Sequence, residues 1–404
     1  MSDDPQPEPQ DTPSPGEQAA RRIRVGVLFG GQSAEHSVSL ASATSVMRAL
    51  DPARYEVVPM GITRGGHWLA GGDPLRALHS GVEAAAPTPE VAAPPGQALA
   101  VRPAARTPLA LEAARSLDTL DVIFPVLHGP NGEDGTIQGL LEVAGVPYVG
   151  SGVLGSALGM DKIVMKGLFT AAGLPVGPYV AVSRVDWERD PADVQARCEA
   201  ALTYPLFAKP ANMGSSVGIT KIHEPSEFAR ALTRAARYDR RLVVEQGLDA
   251  REIECSVLGN DHPVASVCGE IVPAREFYDF RAKYLDNDSA LLIPADLSAA
   301  VAEEVRRLAV AAFQAIDAAG MARVDFFVAR DDGRVYVNEI NTIPGFTAIS
   351  MYPKLWEASG LPYPALVDRL ITLALERWAD RRRPPRADED DDEARTIAGD
   401  SLPV

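Results

Sequence analysis

A chain of 404 residues exceeds one ordinary core, so two or three domains are expected. Apolar residues make up 46%, no run of 18 or more of them occurs, and the start MSDDPQPEPQDTPSPGEQAA lacks the basic and apolar stretches of a signal peptide, which excludes a membrane-spanning helix and argues for a cytoplasmic protein. A net charge of -16 leaves no basic footprint for nucleic acid, and three cysteines (Cys198, Cys255, Cys268) without paired spacing argue against a disulfide framework or a cysteine zinc site.

The acidity is concentrated at the ends. Residues 1–20 hold five acids and no base, and residues 384–404 hold seven acids against two arginines. Both stretches are rich in Pro, Asp and Glu and are expected to be disordered. Between them, RIRVGVLFGG is an apolar run ending in Gly30-Gly31, and EHSVSLASATSVMRAL behind it has helical spacing, so a strand, a tight turn and a helix are predicted. YEVVPMGIT and LDVIFPVLHG supply further strands of an α/β unit, and the Ala/Pro-rich residues 81–107 between them read as a surface excursion.

From about residue 151 the pattern changes. DKIVMKGLFTAAGLPV is a helix with a glycine stop, followed by short strands in YPLFAKP, SVGITKI and RLVVEQGL. EIECSVLG and PVASVCGEIV continue as strands, and the polar REFYDFRAKYLDNDS interrupts before an Ala-rich helix over 298–319. MARVDFFVAR and RVYVNEI form a hairpin around Asp331-Asp332-Gly333, and a last helix is predicted near 363–380. The whole reads as three lobes.

Four places stand out chemically. AKPANMGSSVGITKI puts Lys209 at a strand end before a glycine-rich turn with Ser215 and Ser216, whose backbone N–H groups suit phosphate oxygens; an ordinary hairpin turn reads the same way. In the hairpin, Arg323 and Asp325 share one face, while Glu339 and Asn341 share another and stand in VYVNEINTIPG where further inward apolar residues are expected. Oxygen-bearing side chains converging from neighbouring strands suit Mg²⁺ bound together with nucleotide phosphates; the alternative is an Arg323–Asp325 pair beside turn-capping Glu339 and Asn341. Glu35 at a helix entrance suits either an ammonium ligand or the helix dipole, and His128 at a strand end suits either a substrate carboxylate or a plain turn. Only six lysines occur, at 162, 166, 209, 221, 283 and 354, so each invites a reason.

Taken in order, GGQSAEHSVS, HGPNGEDGTIQG, MDK, KPANMGSSVG, VEQGLDAREIE, AKYLD, ARVDFF and NEINTIPGFTAISMYP resemble the D-alanine–D-alanine ligases of the ATP-grasp superfamily, over about residues 23 to 376. The resemblance implies a multidomain α/β and α+β ATP-grasp fold: a Rossmann-like substrate-binding domain at 23–150, a central lobe at 151–247, and a C-terminal lobe at 248–380 with the metal and substrate site. The tails 1–22 and 381–404 fall outside it. It implies ATP and two Mg²⁺ ions, with Mn²⁺ as a substitute, two D-alanines as substrates, a D-alanyl phosphate intermediate, ADP and phosphate as products, a role in peptidoglycan precursor synthesis, and a homodimer.

By the same resemblance Lys162, Lys209 and Ser216 hold the nucleotide phosphates, Glu245 faces adenine, Glu252 binds the ribose, and Asp325, Glu339 and Asn341 hold the metals. Glu35 anchors the first ammonium with Ser215 and Tyr284 linked beside it, and His128 lies near the first substrate. Arg323 and the Gly345 N–H stabilise oxyanion charge, while Lys283 and Ser350 bind the second carboxylate. REFYDFRAKYLDND corresponds to a mobile lid, and Lys283-Tyr284 with SMYP points to a dipeptide product. Gln246 stands where some members have lysine, which leaves adenine contacts more to the backbone. Another ATP-grasp carboxylate–amine ligase, or a nucleotide-binding module without turnover, are the alternative readings.

Overall fold

The computed structural model describes residues 21–80, 117–272 and 290–383. The acidic ends, the 81–107 excursion and the segment with Lys283 and Tyr284 lie outside these residues.

Three sheets organise the chain. The first contains β1 (Ile23–Gly30), β2 (Tyr55–Ile62), β3 (Trp68–Ala70) and β4 (Val122–Pro125) in the order β3-β2-β1-β4. β1 runs parallel to both neighbours, β2 and β4, and its last six residues are buried, which explains its unbroken apolar run. Helices α1 (His36–Ala49), α2 (Pro74–His79) and α3 (Thr136–Ala144) accompany it. At the end of β1, Gly30 has φ +96°, and a Cβ there would sit 2.1 Å from the Ile62 carbonyl oxygen, so only glycine fits. The turn it permits lets the Gly31 N–H donate to that oxygen at 2.8 Å and delivers Glu35 to the start of α1.

Helices α4 (Val153–Met160) and α5 (Lys162–Ala171) lead to the second sheet, ordered β5-β8-β6-β7 and antiparallel throughout. Its strands are β5 (Tyr179–Ser183), β6 (Leu206–Pro210), β7 (Thr220–Ile222) and β8 (Arg241–Gln246), with α6 (Arg184–Arg189), α7 (Pro191–Ala201) and α8 (Phe228–Ala235). Phe228, Ala231, Leu232 and Ala235 lie at helical spacing on α8 and are buried in this sheet's core.

The third sheet, β11-β10-β9-β12-β13, comprises β9 (Ala250–Gly259), β10 (Val264–Val272), β11 (Ala290–Leu292), β12 (Gly320–Ala329) and β13 (Val335–Asn341). It is backed by α9 (Ala299–Ala315), which Ser298 caps by accepting from the Val301 N–H, and is followed by α10 (Met351–Ala358) and α11 (Tyr363–Arg381). On β12, Ala322, Val324, Phe326 and Val328 enter the core against Val305, Leu308, Ala309, Ala312 and Phe313 of α9. Arg323 and Asp325 take the opposite face, as the alternation predicts.

Cores do not follow chain order. Met165 and Phe169 of α5 pack with the third sheet, and Leu366, Val367, Leu370, Ile371 and Ala374 of α11 share a core with Val25, Val27, Phe29 and Phe124 of the first. The last helix thereby returns to the beginning of the chain. All three cysteines are free and buried, and among the described residues no helix is long and apolar enough to cross a membrane.

β13 departs from the expected alternation. Asp325 pairs with Glu339 but the next residue, Phe326, pairs with Val337, so Asn338 is an extra residue in a β-bulge. Val335 and Val337 are buried on one side of the bulge and Ile340 on the other, while Glu339 and Asn341 remain partly exposed. Glu339 and Asn341 therefore do not occupy inward positions: the bulge changes the phase of the strand and turns both toward a cavity.

Candidate active site

A cavity of about 1010 Å³ lies where the three sheets meet. Among the described residues, every site residue expected from the sequence lines it except Asp325. Its floor is the polar face of the third sheet. Antiparallel pairing aligns Glu254, Asp325 and Glu339 in one row across β9, β12 and β13, and Ser256, Arg323 and Asn341 in the next. Arg323 donates from Nε and Nη2 to the two oxygens of Asp325, each at 2.7 Å, and its Nε lies 3.1 Å from Glu254. Burial works against the guanidinium charge, yet Asp325 and Glu254 hold its pKa well above the ordinary arginine value.

Lys162 and Lys209 line the wall beside the floor, and the buried Lys166 stands next to them. Asp161 caps α5 by accepting from the N–H groups of Ile163 and Val164, both at 3.0 Å, which sets Lys162 in the first turn and Lys166 one turn later on the same side. Lys162 Nζ donates to the Met213 carbonyl oxygen at 2.8 Å and lies 3.5 Å from Glu339. Lys209 on β6 and Lys166 both reach Glu245 on β8, at 2.7 and 3.3 Å. Burial would raise the Glu245 carboxyl, but Lys166 and Lys209 pull it down to about 2. Burial dominates at Lys166 and lowers its pKa; at Lys209 burial is outweighed by Glu245, and the pKa is raised. Glu245, which the resemblance puts at adenine, lines the cavity with both its carboxylate oxygens facing lysines.

The segment between β6 and β7 is more than a plain hairpin turn. The left-handed residues include Ser215 (φ +49°) and Ser216 (φ +59°) besides Gly218 (φ +77°), a conformation non-glycine residues adopt at a cost of about 1 kcal/mol or more each. Ser215 Oγ donates a very short hydrogen bond to Glu35 Oε1. A Cβ on Gly214 would lie 3.1 Å from Glu35 Oε2 and one on Gly129 would lie 3.0 Å from the same atom, so two glycines make room for that carboxylate. Glu35 makes no side-chain capping bond to α1. Its side chain serves the cavity rather than the helix end.

Beyond β13 the chain turns through Ile343 to Phe346. A Cβ on Gly345 would lie 2.7 Å from Ser350 Oγ, which accepts the Thr347 N–H at 3.0 Å and pairs with Thr347 Oγ1 at 2.8 Å. His128 is buried, and both ring nitrogens are engaged by protein groups: Nδ1 with the Ile343 carbonyl oxygen at 3.1 Å, Nε2 with Ser42 Oγ at 3.3 Å. Burial opposes its charged form, but Glu133, 3.9 Å away, and Glu35 raise its pKa above the ordinary histidine value.

Comparison with known proteins is decisive for the family. Residues 24–151 match the family described as D-ala D-ala ligase N-terminus, and residues 168–372 match D-ala D-ala ligase C-terminus. The chain belongs to the D-alanine–D-alanine ligase family. It is 52% identical over 362 residues to the D-alanine–D-alanine ligase of Heliobacterium modesticaldum, covering 89% of this chain and 96% of that one. The Geobacillus kaustophilus enzyme of the same name is 48% identical over 364 residues, with 89% and 97% covered. Among solved structures, the D-alanine–D-alanine ligase of Coxiella burnetii superposes with a TM-score of 0.72 at 36% identity, covering 90% of this chain and 96% of that one. The VanG D-Ala:D-Ser ligase of Enterococcus faecalis gives 0.72 at 33% identity, covering 88% and 100%.

Within this ligase family member, three neighbours of the site escaped the sequence reading. Lys166 is one of the six lysines and follows Lys162 by four residues, a signal of a shared helix face. Glu254 follows Glu252 by two and so shares its strand face. Ser42 gave no signal, since a serine inside a serine-rich helix reads as filler. At Gln246, the side-chain oxygen accepts the Thr203 N–H at 2.9 Å.

Proposed function

We propose that this ligase joins two D-alanines to D-alanyl-D-alanine at the expense of ATP, in the cytoplasm, as a building block for peptidoglycan. The observation that carries the reading is the convergence of Glu35, the Ser215 loop and the Arg323–Asn341 strand face on one cavity edged by Lys162 and Lys209. In the first step a carboxylate oxygen of one D-alanine bonds to the γ-phosphorus and ADP leaves. In the second, the amine of the other D-alanine bonds to the acyl carbon, phosphate departs with the bonding pair, and the amine proton is lost.

Glu35 receives the ammonium of the first D-alanine, held in place by Ser215. Lys162, Lys209 and the backbone of the Ser215–Ser216 turn neutralise and orient the phosphates, Glu252 takes the ribose, and adenine rests chiefly on backbone groups. Arg323 and the Gly345 N–H face the oxygen on which negative charge develops, and Ser350 takes the second carboxylate, joined by Lys283. Asp325, Glu339 and Asn341 suit Mg²⁺ by donor chemistry: two carboxylates in facing register and an amide oxygen two residues further along β13, all hard oxygen ligands. When bound, the metal ions neutralise phosphate charge.

Phosphate release from ATP is expected to depend on D-alanine and not on L-alanine; equal stimulation by both would overturn the reading. Nucleotide binding without any D-alanine-dependent phosphate release would favour the alternative of a nucleotide-binding module. Glu35→Gln is expected to raise the Michaelis constant for the first D-alanine by about tenfold or more, the worth of a charge-assisted hydrogen bond, with the ATP constant little changed. An unchanged D-alanine constant would remove Glu35 as the anchor. Asn341→Leu is expected to raise the Mg²⁺ concentration for half-maximal activity by about tenfold, read from a metal titration; a superimposable titration would exclude Asn341 as a ligand.

A further inference from the structure

The turn carrying Gly345 is held by two residues distant in sequence. The Phe346 N–H donates to Ser42 Oγ at 3.2 Å, Ser42 Oγ lies 3.3 Å from His128 Nε2, and His128 Nδ1 lies 3.1 Å from the Ile343 carbonyl oxygen. A carbonyl oxygen only accepts, so Nδ1 carries a proton. In the neutral ring Nε2 is then the acceptor and takes the Ser42 hydroxyl proton, which leaves a Ser42 lone pair for Phe346. Donors and acceptors match at every link. The chain of bonds leaves the turn at Phe346 and returns to it at Ile343, bracketing Gly345. Ser42 is fully buried and His128 nearly so, which shields the links from competing water.

We propose that Ser42 and His128 are positioning residues that fix the 343–346 turn, and with it the Gly345 N–H, relative to the reacting carbonyl oxygen. The proposal rests on the role given to Gly345 above. It assigns the imidazole to the turn instead of to the substrate, and it gives Ser42 a part in the chemistry without contact to any reactant. Displacement of a catalytic donor by about an ångström costs on the order of a hundredfold in rate.

Ser42→Ala is therefore expected to lower kcat by about tenfold to a hundredfold while the Michaelis constant for ATP stays within about twofold. Because the two residues act through one chain, Ser42→Ala combined with His128→Asn is expected to fall within about threefold of the worse single variant, whereas independent effects would multiply. Nitrogen NMR of the ¹⁵N-histidine-labelled protein is expected to show His128 protonated at Nδ1, with its Nε2 signal displaced in Ser42→Ala. Should Ser42→Ala fail to fold, His128→Asn carries the same test of kcat against the ATP constant. Multiplying losses, or a His128 protonated only at Nε2, overturn the proposal. Coupled variants with unchanged kcat overturn it too; in that case Gly345→Ala tells whether the reading of Gly345 has also failed.

Discussion

Glu245→Gln is expected to destabilise the folded protein by about 3 kcal/mol, the loss typical when one member of a buried ion pair is removed. The carboxylate is buried between Lys209 at 2.7 Å and Lys166 at 3.3 Å, and glutamine leaves two ammonium groups confined together without their nearest counter-charge. The pKa points to the same magnitude: lowering a carboxyl from 4.5 to about 2 corresponds to roughly 3 kcal/mol. The sign follows from proton counting. The folded carboxyl has the lower pKa, so the unfolded chain binds more protons between about 2 and 4.5, and this part of the stability is full above that window and is lost as pH falls through it. Urea denaturation should show a lower midpoint for the variant at pH 7 and a shallower loss of stability on acidification. Lys166, whose pKa burial already lowers, is expected to shed its proton more readily in the variant. An unchanged midpoint at pH 7 would mean that Glu245 is not the counter-charge of the pair.

Gly345→Ala is expected to lower kcat by about a hundredfold with little loss of fold, as for removal or displacement of an oxyanion donor. Gly345 is not among the residues with positive φ, so its backbone does not demand glycine. Space does: the new methyl would sit 2.7 Å from Ser350 Oγ, and that oxygen is tied to the Thr347 N–H and Thr347 Oγ1. Either the turn moves or Ser350 gives up two hydrogen bonds. Because Ser350 is also assigned the second carboxylate, the Michaelis constant for the second D-alanine should rise as well. Adding Ser350→Ala removes the obstructing oxygen and should restore part of kcat. Stopped-flow or steady-state rates beside a thermal melt would separate this outcome from simple unfolding, and wild-type kcat in Gly345→Ala would remove the turn from the mechanism.

Local periodicity accounts for what the sequence revealed. Arg323 and Asp325 fall on one strand face because side chains alternate, and alanine-rich composition predicts a helix over 298–319; α9 is found at Ala299–Ala315. Residue by residue, Glu35 and the Ser215 turn each stay open between a site and an ordinary structural role, and only the resemblance links them, because their hydrogen bond spans 180 positions and no local pattern encodes it. The partnership of Glu245 with Lys166 was hidden for the same reason, although the scarcity of lysine marked one of the pair. The bulge at Asn338 was illegible because an alternating pattern says nothing about the partner strand's length.

That bulge also guards assembly of the hairpin. A regular hairpin can slide by two residues and keep the same side chains on the same faces, so alternation alone tolerates such errors. Here the extra residue presents its carbonyl oxygen to Lys166 Nζ at 3.1 Å, while Glu339 stands opposite Asp325. A slipped strand would lose both partners together and leave the buried Lys166 ammonium with Glu245 but without its carbonyl acceptor. Asn338 thus works as a registration pin, through which the correct alignment of two strands is checked by a helix that lies outside their sheet.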